Sequence, residues 1–282
     1  MGTDPATSPV VPVIRIHPTR GMASLRLKDL WDYRELIYFL VWRDIKIRYK
    51  QTVVGAVWVL LQPLMTIAIF TVIFGIFAGI PSEGVPYSVY TFAGLLPFTY
   101  FAESINRGGA SLVGSANLIS KVYFPRLIIP LSAVITPIMD FIITFALLIG
   151  LITWFGIKPT SAMLALPLLL FFTIIWALAA SLWFSALNVR YRDVVYTLPF
   201  VIQVTMFASP VIYPASIIPG RWRLVYAINP LAGLIDAFRW ALLGRPFPSL
   251  GVLAMSSLTL AVVLVGGVFY FKRMERTFAD II

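Results

Sequence analysis

Charged residues divide this chain into long apolar stretches. No charge occurs from Gln51 to Ser82, and comparable runs follow to the C-terminus. A helix that crosses a bilayer needs about 20 predominantly apolar residues. The pattern predicts six such spans, at about 53–79, 87–112, 127–155, 161–188, 194–212 and 251–271. Between the fifth and sixth, residues 213–250 are apolar but broken by Pro214, Pro219, Gly220, Pro230, Gly233, Gly244, Pro246 and Pro248. The apolar pieces left there are too short to cross, so re-entrant helices that enter and leave on one side, shielded by protein, are expected. Ahead of span 1, Leu30, Ile37, Val41 and Ile45 recur at helical spacing among charged positions, which predicts an amphipathic helix over 29–50. Residues 1–28 carry Pro5, Pro9, Pro12 and Pro18 and lack the apolar core of a signal peptide; they are expected to form a mobile cytoplasmic tail. Residues 272–282 are expected to form a cytoplasmic C-terminus.

Composition makes the bilayer the solvent. Of 282 residues, 60% are hydrophobic and 12% charged, with mean hydropathy +0.90; a soluble domain carries about 25% charged residues. Barrel strands alternate polar and apolar, whereas these runs are continuous, so the predicted class is all-α. The net charge of +10 is placed unevenly. Sixteen basic residues fall in the tail, the first helix, the second and fourth loops and the C-terminus, against five (Lys158, Arg221, Arg223, Arg239, Arg245) on the other side. The positive-inside rule then puts both termini in the cytoplasm and removes any need for a nucleic-acid partner.

Several chemistries are excluded. There is no cysteine and one histidine, His17, so no catalytic triad or metal centre is expected. No G-x-x-x-x-G-K-[ST] loop occurs, so ATP is not bound in the P-loop manner. Carboxylate pairs suited to glycosidase chemistry are scarce, which also weakens a membrane-embedded transferase.

The candidate functional residues lie in three places. The helix over 29–50, with Trp31, Ile37, Val41, Arg43 and Asp44, reads equally as an interfacial anchor or a contact surface for a cytoplasmic partner. The second loop, 115–126, holds Leu118, Ile119, Lys121, Val122, Phe124, Pro125 and Arg126. Its apolar members either dip into the membrane or dock in a partner's groove. Within the spans, Glu103 and Arg107 are four apart and placed to pair. Asp140, near the middle of span 3, is either a packing carboxyl or a functional one. Phe70, Phe74, Phe200, Phe207 and Tyr213 either pack or line a conduit, since aromatic faces suit sugar CH groups. Trp58, Trp154, Trp183 and Trp222 fall near span ends and read as interfacial anchors.

Three stretches in order carry a family resemblance. Arg43 to Trp58, followed by Leu61-Gln62-Pro63, resembles the entry to span 1 in ABC-2 permeases of polysaccharide export. Leu118 to Arg126, with Pro130 after it, is similar to their loop between spans 2 and 3, and Asn188 to Asp193 to their loop between spans 4 and 5. The resemblance implies the ABC-2, or type V exporter, fold: a homodimer in the bacterial inner membrane that pairs with two cytoplasmic ATPase subunits, which bind ATP and Mg. It implies that 118–126 is the coupling helix on the ATPase and that 29–50 is the interface helix. The segment 213–250 would then gate the outer end. Spans 1 and 5 would border a channel for a polyprenyl-pyrophosphate-linked glycan, with Arg48 and Lys50 drawing in the pyrophosphate. An ABC-2 permease for a drug or another lipid is the alternative reading.

Overall fold

The computed structural model describes residues 27–50 and 53–278. Residues 1–26 of the expected tail and 279–282 of the expected C-terminus lie outside the described residues. Every regular element among the described residues is helical. The α-helices in chain order are α1 (Leu27–Asp32), α2 (Arg34–Lys50), α3 (Val53–Phe70), α4 (Tyr87–Gly114), α5 (Ala116–Lys121), α6 (Ile128–Ile135), α7 (Ile138–Trp154), α8 (Leu166–Arg190), α9 (Val194–Phe207), α10 (Arg223–Tyr226), α11 (Pro230–Leu243) and α12 (Leu250–Glu275). The π-helical turn Thr71–Phe77 extends α3.

Among the described residues, four helical stretches are long and apolar enough to cross a membrane: Val57–Phe77, Ile128–Trp154, Ser161–Arg190 and Leu250–Glu275. The second expected span, α4, is long at 28 residues but more polar, and it is the axis of the bundle. Helices α6, α7, α8, α9 and α11 all pack on it. It buries Val89, Phe92, Leu96, Phe101 and Leu112, so its environment is protein on most sides. Close approach to α8 requires a glycine: a Cβ at Gly108 would lie 2.5 Å from the Cβ of Ser181.

Two expected spans depart from simple helices, and each departure has a local cause. Span 3 breaks between α6 and α7, where Pro137 has no N–H to give. The Val134 carbonyl loosened by the break accepts instead from the Tyr100 hydroxyl of α4, at 2.7 Å. Span 5 is helical only as far as Phe207; α9 has 14 residues, about 21 Å at 1.5 Å per residue, shorter than the hydrocarbon. The chain beyond is irregular yet buried at Ser209, Val211 and Ile212. Irregular backbone inside a membrane protein must find partners from side chains. The Ile212 carbonyl accepts from the Tyr87 hydroxyl at 2.7 Å, and the Val211 carbonyl from Arg239 Nη2 at 2.8 Å.

The segment after α9 then folds back as α10 and α11. Asn229 caps α11 by accepting from Leu231 N at 3.1 Å, Pro230 opens the helix, and Gly244 closes it at φ 63°. The apolar core is in two parts. The larger surrounds α4 with Phe98, Phe141, Leu148, Leu198 and Phe238. The smaller joins Leu40 of α2, Ile119 and Phe124 of the second loop, and Phe271 and Phe278 near the C-terminus. Large apolar side chains also face outward, among them Ile76 and Phe77 after α3, Phe200 and Phe207 on α9, and Val262 and Phe269 on α12. That surface suits hydrocarbon as solvent.

Two expectations are corrected. The stretch 29–50 is not amphipathic in the simple sense: Tyr33 interrupts it, and apolar residues occupy both faces. Leu40 is the buried centre of the inner face, with Ile37, Val41 and Ile45 half-buried beside it, while Trp31, Tyr38, Phe39, Trp42 and Ile47 are exposed. Among the tryptophans, Trp58, Trp154 and Trp222 are exposed, but Trp183 packs inward, stacked on Tyr270 at 5.0 Å and donating to the Val263 carbonyl.

Candidate functional site

The second loop is built as a lid on the smaller core. Helix α4 ends at Gly114, α5 supplies one short helix, and the chain extends from Val122 until α6 begins. The sequence suggested that Leu118, Ile119, Val122 and Phe124 form one greasy patch in need of cover. The structure divides them. Ile119 is 3% exposed and Phe124 1%, both inside the core with Leu40 and Phe271. Leu118 is half-buried, and Lys121, Val122 and Tyr123 face outward, Tyr123 at 72% exposure. The inward residues therefore fasten the loop, and the outward ones are free to meet a partner. Tyr123 was missed because a tyrosine between apolar positions carries no distinguishing period.

The end of α12 holds the loop from the other side. Glu275 accepts from the backbone N–H of Arg126 at 3.1 Å and pairs with Lys272 at 2.7 Å. Arg126 donates to the Phe124 carbonyl at 2.9 Å, its guanidinium 5.8 Å from the Phe124 ring centroid. Pro125 is half-buried between them. The loop is thus tied to α2 and to the C-terminal helix at once.

A second cluster joins the foot of α2 to the bundle. Arg48 Nη1 lies 3.0 Å from Glu103 Oε1 and 2.9 Å from Asp140 Oδ2, and Arg107 Nε lies 2.8 Å from the same Glu103 oxygen. Tyr49 donates its hydroxyl to the other oxygen of Asp140. Burial, reinforced by that carboxylate, raises the Tyr49 phenol above its ordinary pKa and keeps it a neutral donor. Asp140 lies near the middle of the Ile128–Trp154 stretch, in the first turn of α7 just after the break at Pro137. Two guanidiniums meet two carboxylates, so this partly buried cluster is close to neutral. Arg48, expected to draw in pyrophosphate, is compensated by these acids, whereas Lys50 is exposed.

A third site was counted among outer loop charges and is instead deeply buried. Arg239 of α11 is 2% exposed. Its guanidinium lies 3.8 Å from the Tyr90 ring centroid, donates to the Tyr90 and Val211 carbonyls at 3.3 and 2.8 Å, and approaches Asp236 at 3.8 Å. A desolvated cation–π contact contributes about 2 kcal/mol, and each hydrogen bond from a charged donor about 1.5–3 kcal/mol. Gly94 makes room, since a Cβ there would sit 2.8 Å from Nη2. The available signal was Asp236 and Arg239, three residues apart inside the otherwise apolar run Pro230–Leu243. Removing Arg239 from the outer loops widens the charge asymmetry.

The ABC-2 type transporter model matches residues 35–243 of this sequence, about three-quarters of the chain. The chain belongs to the ABC-2 type transporter family. The segment shared with that family runs from the start of α2 to the end of α11, and so contains the second loop, the Arg48 cluster and Arg239. The chain is also 26% identical over 257 residues to the O-antigen export system permease protein RfbA of Myxococcus xanthus, covering 90% of this chain and 98% of that one. RfbA of Klebsiella pneumoniae is 27% identical over 263 residues, covering 92% and 100%. The polysialic acid transport protein KpsM of Escherichia coli is 25% identical over 241 residues, covering 83% and 91%.

The ABC-2 chain does not gather its five expected conduit aromatics into one lining. Phe70 and Phe74 stack edge-to-face at 5.5 Å and are half-buried against the main core. Phe200 and Phe207 project from the outer face of α9 at 68% and 51% exposure. Tyr213 is half-buried, donating to the Phe207 carbonyl and facing the Tyr226 hydroxyl at 3.3 Å. Among the interface-helix residues, Trp31 is exposed beneath the Arg34 guanidinium at 5.5 Å, and Arg43 pairs with Asp44 at 2.8 Å.

Proposed function

We propose that this chain is the membrane subunit of an ATP-driven exporter of a lipid-linked polysaccharide. It would act as a homodimer with two ATPase subunits in the bacterial inner membrane, both termini in the cytoplasm. One observation carries the reading: likeness along almost the whole chain to O-antigen permeases, in a sequence with no nucleotide-binding loop. The energy for transport must then come from a partner, and the loop 115–126 is the surface built to receive it.

The geometry supports a route for that energy. A push on Lys121, Val122 and Tyr123 moves a loop whose inner residues, Ile119 and Phe124, are packed against Leu40 of α2. Helix α2 in turn holds α4 and α7 through Arg48 and Tyr49. Motion of the ATPase therefore reaches the bundle through packed side chains and ion pairs. The uncovered apolar faces of α3 and α9 would meet the second copy or the acyl and prenyl chains of lipid. Phe70, Phe74, Phe200, Phe207 and Tyr213 would face the glycan only in a dimer that brings both faces together. ATP and Mg belong to the partner.

Deletion of the gene tests this. Cells should lose surface polysaccharide while undecorated lipid-linked glycan accumulates on the cytoplasmic side, and the intact gene should restore export. Normal surface polysaccharide in the deletion strain contradicts the reading, and loss of drug efflux instead favours another cargo.

A further inference from the structure

The route through α2 leaves a second attachment of the loop 115–126 unused. Glu275, in the last turn of α12, accepts from the Arg126 N–H at 3.1 Å with one oxygen and pairs with Lys272 at 2.7 Å with the other. Phe271 and Phe278, both fully buried, pack edge-to-face at 5.3 Å in the core that holds Ile119 and Phe124. The far part of α12 meets the segment 213–250 instead. Ser256, 6% exposed, donates to the Ala227 carbonyl at 3.1 Å. Gly233 of α11 faces the same side chain, and a Cβ there would sit 2.9 Å from its hydroxyl oxygen. Glu275 and Ser256 lie about 28 Å apart along the helix at 1.5 Å per residue.

The helix between these ends is stiff. Other spans carry prolines within them: Pro63 in α3, Pro97 in α4 and Pro199 in α9, while Pro137 divides α6 from α7. A proline inside a helix removes a hydrogen bond and lets the helix bend. Helix α12 has none. Its pliable point is the pair Gly266-Gly267, and α8 braces it. Trp183 ring atoms lie 3.0 Å from where a Cβ of either glycine would stand. The same ring donates to the Val263 carbonyl at 2.9 Å and stacks on Tyr270 at 5.0 Å. A displacement at one end is therefore delivered at the other through packed side chains, not lost in a kink.

We propose that α12 is a second transmission arm of the exporter. Glu275 is the positioning residue that ties the arm to the loop, and Ser256 is the point where the arm moves the segment 213–250. The proposal rests on the export reading and adds a path from the ATPase to that segment. When the loop shifts, the Arg126 N–H carries Glu275 with it, α12 moves together with the α8 surface that braces it, and the Ala227 carbonyl follows Ser256.

The test uses the complete complex in proteoliposomes, with lipid-linked polysaccharide from the producing strain. Parent and variants each carry Ser216→Cys, an exposed position in the segment, labelled with a nitroxide. In the parent, ATP and Mg should change the nitroxide spectrum and drive export. Glu275→Ala should abolish the spectral change and lower the glycan exported per ATP about tenfold, the bias that one charge-assisted hydrogen bond sustains. Glu275→Gln keeps an acceptor for the Arg126 N–H and should restore export per ATP to within about threefold. Ser256→Ala, at the other end, should leave ATPase binding and turnover at the parent's level and cut export about fivefold, the weight of one neutral hydrogen bond. That variant carries the test even if Glu275→Ala fails to assemble. Unchanged export per ATP in Glu275→Ala or in Ser256→Ala overturns the arm and leaves the exporter standing. A nitroxide at 216 indifferent to ATP in an exporting parent overturns it too, as does a loss in Glu275→Gln as large as in Glu275→Ala. No ATP-driven export by the unmodified complex removes both.

Discussion

Phe124 and Tyr123 are neighbours in sequence with opposite surroundings, and exchanging each for alanine separates fastening from docking. Phe124 is 1% exposed and packs with Leu40, Ile119 and Phe271. Truncating a buried phenylalanine costs about 3–5 kcal/mol. The Arg126 guanidinium also loses its ring at 5.8 Å, worth about 0.5 kcal/mol more at a partly exposed site. For a chain of this size that corresponds to a melting point lower by on the order of 10 °C. Tyr123 is 72% exposed, so Tyr123→Ala should stay within about 0.5 kcal/mol of the parent. Unfolding of the purified complex, followed by tryptophan fluorescence, gives the stabilities. Co-purification of the ATPase and its stimulation give the coupling. Phe124→Ala should melt early, whereas Tyr123→Asp and Val122→Asp should melt normally and lose the ATPase or its stimulation. An unchanged melting point for Phe124→Ala refutes the division of the loop into inner and outer faces.

Other parts of the structure make independent predictions. Arg48→Leu and Asp140→Leu should each destabilise, and a double-mutant cycle should return a coupling of about 1–2 kcal/mol, discounted for partial exposure; additive effects would deny the ion pair. Arg239→Met should cost about 3 kcal/mol or more in unfolding assays, because it leaves the buried Val211 carbonyl without its donor, and Arg239→Lys should recover only part, lacking the planar fork. The chain has no cysteine, so single cysteines report topology directly. Tyr123→Cys should react with a membrane-impermeant thiol reagent only in inverted vesicles, and Ser216→Cys only in intact spheroplasts; the reverse pattern would invert the orientation.

Long charge-free runs made the membrane class and most of the helices readable, because hydrocarbon tolerates little else. The proline-laced region after span 5 was readable as a break for the same reason. What hydropathy could not give was direction within an element. Ile119 and Val122 are equally apolar, yet one is buried and one exposed, and only the packing of α2 and α12 decides which. Arg239 was misplaced because the positive-inside rule treats a charge outside a span as solvated, whereas the unwound end of span 5 needs its donors. Pairing of Glu103 with Arg107 followed from helical spacing, but their meeting with Arg48 and Asp140 is tertiary and left no local trace. Pro137 did carry a signal for the break in span 3, overridden by the continuous apolar run around it.

Reconstitution measures the proposed role as a conduit moved by a partner ATPase. Proteoliposomes holding the chain with its ATPase, loaded with lipid-linked polysaccharide, should expose glycan to an added lectin on the far leaflet only when ATP and Mg are supplied. Equal exposure by the chain alone, without ATP, would contradict it.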